Sequence, residues 1–293
     1  MLVETRALTK RYAATTALED VALAVPAGTV YGLIGPNGSG KTTLLSVLAG
    51  LRRPTSGSIH LDVDPQRVAV LPDTPQFDPW LTAREVVDLA RTLVDASLSA
   101  DRVEPALADA GLGDAADRRT GGFSRGMLQR LGLAATLVAD PALVLLDEPA
   151  SALDPAGRRE VLDLVAAMRG TRTVLFSSHI LGDVQQVCDT VGILRAGRLL
   201  YQGSIDDLLV GRAGPAYRIR LRSEPASARE VLERSPWVTA VEPQGPVDLV
   251  VHVTAMADAE RGLIPALAEA GARVVFVEPD APDLEQVVLE LTS

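Results

Sequence analysis

The segment GPNGSGKT, which begins at Gly35, contains three glycines, a lysine and a threonine at the spacing of a phosphate-binding loop. Gly35, Gly38 and Gly40 permit a tight turn whose backbone N–H groups face inward, as a bound anion requires. Lys41 carries a compact ammonium group that can reach the β- and γ-phosphates of a nucleotide, and Thr42 offers a hydroxyl to Mg²⁺. The strand-like TVYGLI before this loop and the helical TTLLSVLAG after it supply the context that a phosphate loop needs.

Two acids follow a second apolar segment, ALVLLD, which is typical of a strand buried on both faces. Asp147 ends that segment and can bind Mg²⁺ directly or through water. Glu148 comes next, and we expect it to polarise an attacking water. Acids often mark the end of a strand for structural reasons alone, and the phosphate loop is what favours catalysis here.

His179 follows the buried strand-like segment RTVLFSS. A single histidine is more often structural than catalytic. Ligands of open parallel sheets, however, gather at the carboxyl ends of the strands, which is where Asp147 and His179 both stand. We therefore expect His179 to contact the γ-phosphate. His60 and His252 have no comparable surroundings.

The stretch FSRGMLQRLGLA, from Phe123, predicts a helix that begins with an unusual sequence. Ser124 is a good N-cap, but no carboxylate three residues later completes a capping box. Arg125 and Gly126 then occupy the first turn, where free backbone N–H groups attract an anion. A plain helix cap is the alternative at this point.

Bulk composition excludes several classes of protein. The net charge of −10 argues against nucleic acid as the main partner, because duplex binding depends on neutralising phosphates. The single cysteine, Cys188, cannot form an internal disulfide, and we expect it to be a small buried hydrophobic residue. The first residues lack the apolar core of a signal peptide, and no run of about 18 apolar residues occurs. We therefore expect a cytoplasmic protein.

Alternation of strand-like and helical segments predicts an α/β fold with a mainly parallel sheet over residues 1–210. Residues about 75–140 are rich in Ala and Leu at helical spacing and predict a helical subdomain. VGILRAGRLLYQG, from Val191, predicts a hairpin that turns at Ala196 and Gly197. Residues 211–293 instead give a β-α-β-β-α-β order, which predicts a small α+β, ferredoxin-like accessory domain.

Together these motifs resemble the nucleotide-binding subunits of ABC transporters, a family of P-loop NTPases, over residues 2–210. GPNGSGKT resembles the Walker A motif, LVLLDE the Walker B motif, SALD the D-loop, SSH the switch histidine, and FSRGM stands at the place of the LSGGQ signature. The resemblance implies ATP and Mg²⁺ as ligands, with Lys41, Glu148 and His179 as catalytic groups and Thr42 and Asp147 as metal ligands. It implies nucleotide contacts from Tyr12, Gly35, Pro36, Asn37, Gly38, Ser39, Gly40, Lys41, Thr42 and Thr43. For Tyr12, a place in the hydrophobic core is the alternative.

The family resemblance also implies two partners. Ser124, Arg125, Gly126 and Met127 would close over ATP held by a second subunit, expected to be another copy of this chain, while Ser151 and Asp154 belong to the D-loop. A separate integral membrane permease is expected to dock near the Q-loop and the helical insert, holding this subunit at the inner face of the cell membrane. Phe77 and Trp80 are candidate contacts, with core packing as the alternative.

Two motifs, the Q-loop and the signature, depart from the family pattern. Asp73, rather than glutamine, aligns with the Q-loop; its side chain is shorter and charged, and it could still hold water or Mg²⁺. Met127 replaces the signature glutamine and Arg125 its first glycine, a variation similar to that of drug- and antibiotic-exporting members. We therefore expect an exporter. The alternatives are a soluble ABC-type ATPase outside transport and a nucleotide-binding regulator with little turnover.

Overall fold

The computed structural model describes residues 1–151, 153–210, 215–280, 287–289 and 291. Their contacts divide the chain into two compact units, Met1–Ile205 and Asp206–Ser293. The sequence places the boundary at about residue 210, and residues 211–214 of that stretch lie outside the described part. Within the described residues, no helix combines the length and apolar character needed to cross a bilayer.

The first unit contains a six-stranded sheet in the order β10-β9-β4-β8-β7-β6, parallel except for the β9–β10 hairpin. Its central strands are continuous apolar runs that are buried on both faces, as parallel strands covered by helices must be. The strands are β4 (Val30–Ile34), β6 (Val68–Leu71), β7 (Leu143–Asp147), β8 (Thr173–Ser178), β9 (Thr190–Arg195) and β10 (Arg198–Ser204). The hairpin turn predicted at Ala196 and Gly197 is confirmed, with φ of 47° and 79° at these residues.

A second, antiparallel sheet is built around β1, which pairs with β2, β3 and β5. Its strands are β1 (Val3–Tyr12), β2 (Thr15–Val21), β3 (Ala24–Val25) and β5 (Ser56–Leu61). The buried side chains of β1 and β2 join those of β4, β7 and the first helix in one core. This sheet therefore fixes one side of the phosphate loop.

Helices surround the parallel sheet and form a separate bundle between β6 and β7. The first unit has α1 (Lys41–Leu48), α2 (Ala83–Val94), α3 (Val103–Asp109), α4 (Arg125–Leu137), α5 (Pro155–Ala167) and α6 (Leu181–Val187). A seventh helix, α7 (Ile205–Val210), starts at the last residue of this unit, and its other residues belong to the second unit. Helices α2, α3 and α4 share their own core, which includes Val87, Leu107 and Leu131. Thr82 and Glu85 form a capping box that begins α2.

The second unit follows the predicted element order. It contains β11 (Ala216–Leu221), α8 (Ala226–Glu233), β12 (Val238–Pro243), β13 (Asp248–Val253), α9 (Met256–Glu269) and β14 (Val274–Pro279). The strands pair antiparallel in the order β12-β13-β11-β14. The two strands that each helix connects are therefore not neighbours: β13 lies between β11 and β12, and β11 lies between β13 and β14. Ile219, Leu232 and Leu249 are fully buried in the core of this unit.

Candidate active site

The phosphate loop joins β4 to α1 at the carboxyl edge of the parallel sheet. Lys41 is the first residue of α1 and is only 6% exposed. Its Nζ donates to the carbonyl oxygens of Gly35, over 2.6 Å, and Pro36, over 3.4 Å. These bonds hold the ammonium group under the loop, where it faces any anion that the loop binds.

Gly40 shows why the spacing of glycines matters here. It caps α1 with φ of 110°, a conformation that side-chain-bearing residues rarely adopt, and an added Cβ would lie 2.6 Å from the carbonyl oxygen of Ala17. Asn37 and Thr42 are exposed, and Thr43 is half-buried in the first turn of α1.

Ser39 supports the assignment of this loop as a phosphate site. Its Oγ is fully buried and has no protein partner among the described residues. A buried hydroxyl without a partner costs about 1–3 kcal/mol, and a bound phosphate would supply the missing partner. The donor set of the loop, with a hydroxyl, an ammonium group and a helix N-terminus, fits a nucleotide phosphate with Mg²⁺.

Asp147 and Glu148 meet the end of β8 through one serine. Ser177 Oγ donates to Asp147 Oδ1 over 2.7 Å and accepts from the Glu148 N–H over 2.9 Å. Asp147 is 3% exposed, and Ser177 is fully buried. Glu148 has φ of 48°, in the left-handed region, which turns the chain sharply at the end of β7.

Three of the predicted catalytic side chains form a continuous line. His179 Nδ1 lies 2.8 Å from Glu148 Oε2, and Glu148 Oε1 lies 3.5 Å from Lys41 Nζ. The Glu148 side chain is 14% exposed. Because its two oxygens contact Lys41 and His179, this carboxylate bridges the start of α1, after β4, and the loop after β8. The structure thus brings together the three groups that the sequence assigned to catalysis.

The signature-like segment starts α4, as predicted. Ser124 is the N-cap, and its Oγ accepts from the Met127 N–H over 3.2 Å. Arg125 is exposed at the first position of the helix. A Cβ at Gly126 would lie 3.1 Å from Leu153 Cδ2, so this glycine allows the helix start to approach the D-loop.

The Q-loop and D-loop positions lie against each other. Ser151 Oγ donates to Asp73 Oδ1 over 3.2 Å. Asp154 caps α5 by accepting from the Gly157 N–H, also over 3.2 Å. The D-loop is therefore fixed at both ends by side-chain hydrogen bonds.

Tyr12 is the last residue of β1 and is 36% exposed, so it is not the core tyrosine that the sequence left possible. Two cations lie over its ring, Lys10 Nζ at 4.9 Å and Arg52 Cζ at 5.5 Å from the centroid. These cation–π contacts orient the exposed ring.

Sequence reasoning missed two groups near the site. Ser177 lies inside the SSH segment, and its place beside Asp147 follows from the β7–β8 register, which no local pattern reveals. Arg158 on α5 pairs with Asp183 on α6, with Nε 2.7 Å from Oδ1, and Asp183 is 4% exposed. This ion pair joins the helix after the D-loop to the helix after His179.

Comparison with known proteins agrees with this geometry. Residues 18–151 match the family described as ABC transporter. The chain is 36% identical to the uncharacterised ABC transporter ATP-binding protein YxlF of Bacillus subtilis, over 99% of both chains. It is 34% identical to the daunorubicin/doxorubicin resistance ATP-binding protein DrrA of Streptomyces peucetius, over 99% of this chain and 92% of that protein.

Two further matches cover about seven tenths of the chain each. The lantibiotic transport ATP-binding protein SrtF of Streptococcus pyogenes is 35% identical over 68% of this chain and 89% of its own length. A solved ATP-binding subunit of an ABC transporter is 30% identical and superposes with a TM-score of 0.65, covering 71% of this chain and 92% of that one.

The parallel sheet, phosphate loop and acidic strand end define a P-loop ATPase of the ATP-binding cassette class. The chain belongs to the ABC transporter ATP-binding proteins. It is an ATP-hydrolysing transporter subunit that uses ATP with Mg²⁺.

Proposed function

We propose that Glu148 polarises the attacking water in a chamber completed by a second copy of this chain. The line from Lys41 through Glu148 to His179 carries this proposal, because it places a carboxylate between a cation and an imidazole at the phosphate loop. Glu148 accepts a proton from water, and His179 holds the carboxylate from its other side. Lys41 stabilises negative charge on the transferred phosphoryl group.

Mg²⁺ held by Thr42 and Asp147 would neutralise charge between the phosphates. Ser177 positions Asp147 for this role, because its hydroxyl donates to one carboxylate oxygen and leaves the other available. Backbone N–H groups of the loop from Gly35 to Thr42 bind the phosphate oxygens, and the ring of Tyr12 stacks on the adenine.

The start of α4 supports the two-copy arrangement. It offers Ser124, the Gly126 N–H and the positive end of a 13-residue helix. One phosphate loop and one signature segment occur per chain, so a head-to-tail pair related by a two-fold axis completes two sites. ATP then stabilises the closed pair through contacts that exist only when both copies meet.

A cleft of about 370 Å³ between the edge strand β6 and the helical bundle is the proposed permease site. Its wall includes Leu71, Pro75, Phe77 and Val94. Nearby side chains of α2 are exposed although they are apolar: Leu89 is 49% and Leu93 77% exposed. An apolar groove of this kind fits an amphipathic helix of a membrane protein, so we place the subunit at the membrane surface.

Export is the proposed direction of transport. The relatives named for daunorubicin/doxorubicin resistance and lantibiotic transport match 99% and 68% of this chain, and the signature carries the Met127 variation. The cargo that we propose is an antibiotic-like molecule, with its identity set by the permease.

Complementation between two inactive variants tests the shared chamber. Lys41→Ala disables the phosphate loop, and Gly126→Asp puts a carboxylate at the start of α4, where it repels phosphate. Each variant alone should release no phosphate from Mg²⁺–ATP. A one-to-one mixture should regain about one quarter of wild-type activity, because half the dimers are mixed and each has one intact site of two. No recovery in the mixture contradicts the head-to-tail arrangement.

Glu148→Gln tests the catalytic assignment separately. The variant should bind ATP, lose phosphate release by about 10²–10⁴-fold and accumulate as a closed dimer, as measured by light scattering with and without ATP. Turnover at the wild-type rate would exclude Glu148 as the base.

A further inference from the structure

Asp73 and Ser151 are 78 positions apart in the chain and joined by one hydrogen bond. Asp73 follows the edge strand β6, and Ser151 lies in the loop between Glu148 and α5. Because β6 and β7 are neighbouring parallel strands, their carboxyl ends bring these two loops together. The bond of 3.2 Å from Ser151 Oγ to Asp73 Oδ1 therefore ties one loop to the other.

Ser151 also holds the turn that contains Glu148. Its backbone N–H donates to the Glu148 carbonyl oxygen over 3.2 Å, closing a four-residue turn. Glu148 has φ of 48°, a sparsely populated conformation that persists only where the surroundings impose it. Ser151 is thus at once the end of the turn and the partner of Asp73.

The other neighbours of Asp73 line the cleft proposed for the permease. Leu71, Pro72 and Pro75 all belong to its wall. A helix seated in this cleft would contact the segment that carries Asp73. The D-loop beyond Ser151 contacts the signature helix, where Leu153 approaches Gly126.

We propose that Asp73 is a positioning residue for ATP hydrolysis, acting through Ser151 on the turn that presents Glu148. Its carboxylate takes the hydrogen bond of the D-loop hydroxyl, whereas a metal-ligand role would direct that oxygen to Mg²⁺. The inference rests on the role proposed for Glu148. It deepens that role because Asp73, which stands at the Q-loop place of the family's glutamine, connects the proposed base to the proposed permease cleft.

A double-mutant cycle on the full-length chain tests the link. Asp73→Ala and Ser151→Ala should each lower kcat about tenfold and leave the KM for ATP within about twofold, because the lost bond orients Glu148 and does not bind ATP. The double variant should lose no more than either single variant. Asp73→Asn and Ser151→Thr keep the acceptor and the hydroxyl, and both should retain most of the activity.

The controls separate this inference from its alternatives. Thr171→Ala, which removes a hydroxyl that donates to the Met168 carbonyl oxygen after α5, should leave kcat unchanged. Additive losses in the double variant, or Asp73→Asn as inactive as Asp73→Ala, would overturn the proposal. A rise in the Mg²⁺ concentration for half-maximal activity in Asp73→Asn would also overturn it and identify a metal ligand. If Glu148→Gln is inactive and Asp73→Ala is fully active, only the positioning role fails.

Discussion

Ser177 links Asp147 and Glu148: its hydroxyl donates to the Asp147 carboxylate and accepts from the Glu148 backbone N–H. One buried side chain therefore holds the proposed metal ligand, Asp147, and the proposed base, Glu148, in fixed relation. The bonds run between β7 and β8, so the register of the parallel sheet sets the geometry of the chemistry.

Replacing Ser177 by alanine should remove both bonds and leave the Glu148 N–H without its partner. We expect a loss of about 1–3 kcal/mol in the free energy of unfolding, together with a higher Mg²⁺ concentration for half-maximal hydrolysis, because Asp147 is no longer held in place. Urea denaturation and a Mg²⁺ titration of ATPase activity measure the two effects. Ser235→Ala, which removes a hydroxyl that donates from just beyond α8 to the Val231 carbonyl oxygen, should leave the Mg²⁺ titration unchanged.

His179→Ala should lower kcat by about 10²-fold, because the carboxylate of Glu148 loses its imidazole partner. ATP binding should weaken far less, since the phosphate loop is intact. Steady-state kinetics and nucleotide binding separate the two. His60→Ala removes an exposed imidazole from β5 and is the matched control; equal loss of kcat in both variants would contradict the assigned role.

Removing one partner of the Arg158–Asp183 pair should destabilise the first unit, because Asp183 is 4% exposed and would remain charged without a counter-ion. Arg158→Met should cost about 2 kcal/mol, less than the ~3–5 kcal/mol of a fully buried pair, since the Arg158 side chain is partly exposed. Asp183→Leu combined with Arg158→Met should recover part of the loss. A double variant less stable than both single variants would contradict this account.

Burial raises the pKa of the Cys188 thiol, and the nearby Asp189 carboxylate raises it further. The folded thiol therefore stays protonated at a pH where the unfolded thiol ionises, so the unfolded state loses a proton and stability falls as the pH rises above about 8.5. The advantage of wild type over Cys188→Ala in unfolding free energy should shrink by up to about 1.4 kcal/mol per pH unit above that value. An advantage that is constant from pH 7 to pH 10 would contradict this prediction.

Local sequence was sufficient wherever the chemistry lies within one short segment. The phosphate loop, the acids after ALVLLD and the N-cap Ser124 were all predicted from residues that are neighbours in the chain, and each stands at the expected end of a strand or helix. Glycine spacing and apolar runs report directly on backbone conformation and burial, which explains this success.

Contacts between distant segments were not predictable in the same way. The Asp73–Ser151 bond and the Arg158–Asp183 pair depend on which loops the sheet order brings together, and strand order leaves no local trace in the sequence. The exposure of Tyr12 was also not predictable, because an aromatic residue at a strand end is equally compatible with a place in the core.

Each unit encloses its own described hydrophobic cluster, with Leu33 and Leu145 in the first and Ile219 and Leu249 in the second. The match to SrtF spans 89% of that protein and only 68% of this chain. A second unit with its own hydrophobic core can be added, exchanged or lost by gene fusion while the ATPase unit stays intact. Proteins of this kind can therefore diverge by recombination at the boundary between the two units as well as by point substitution.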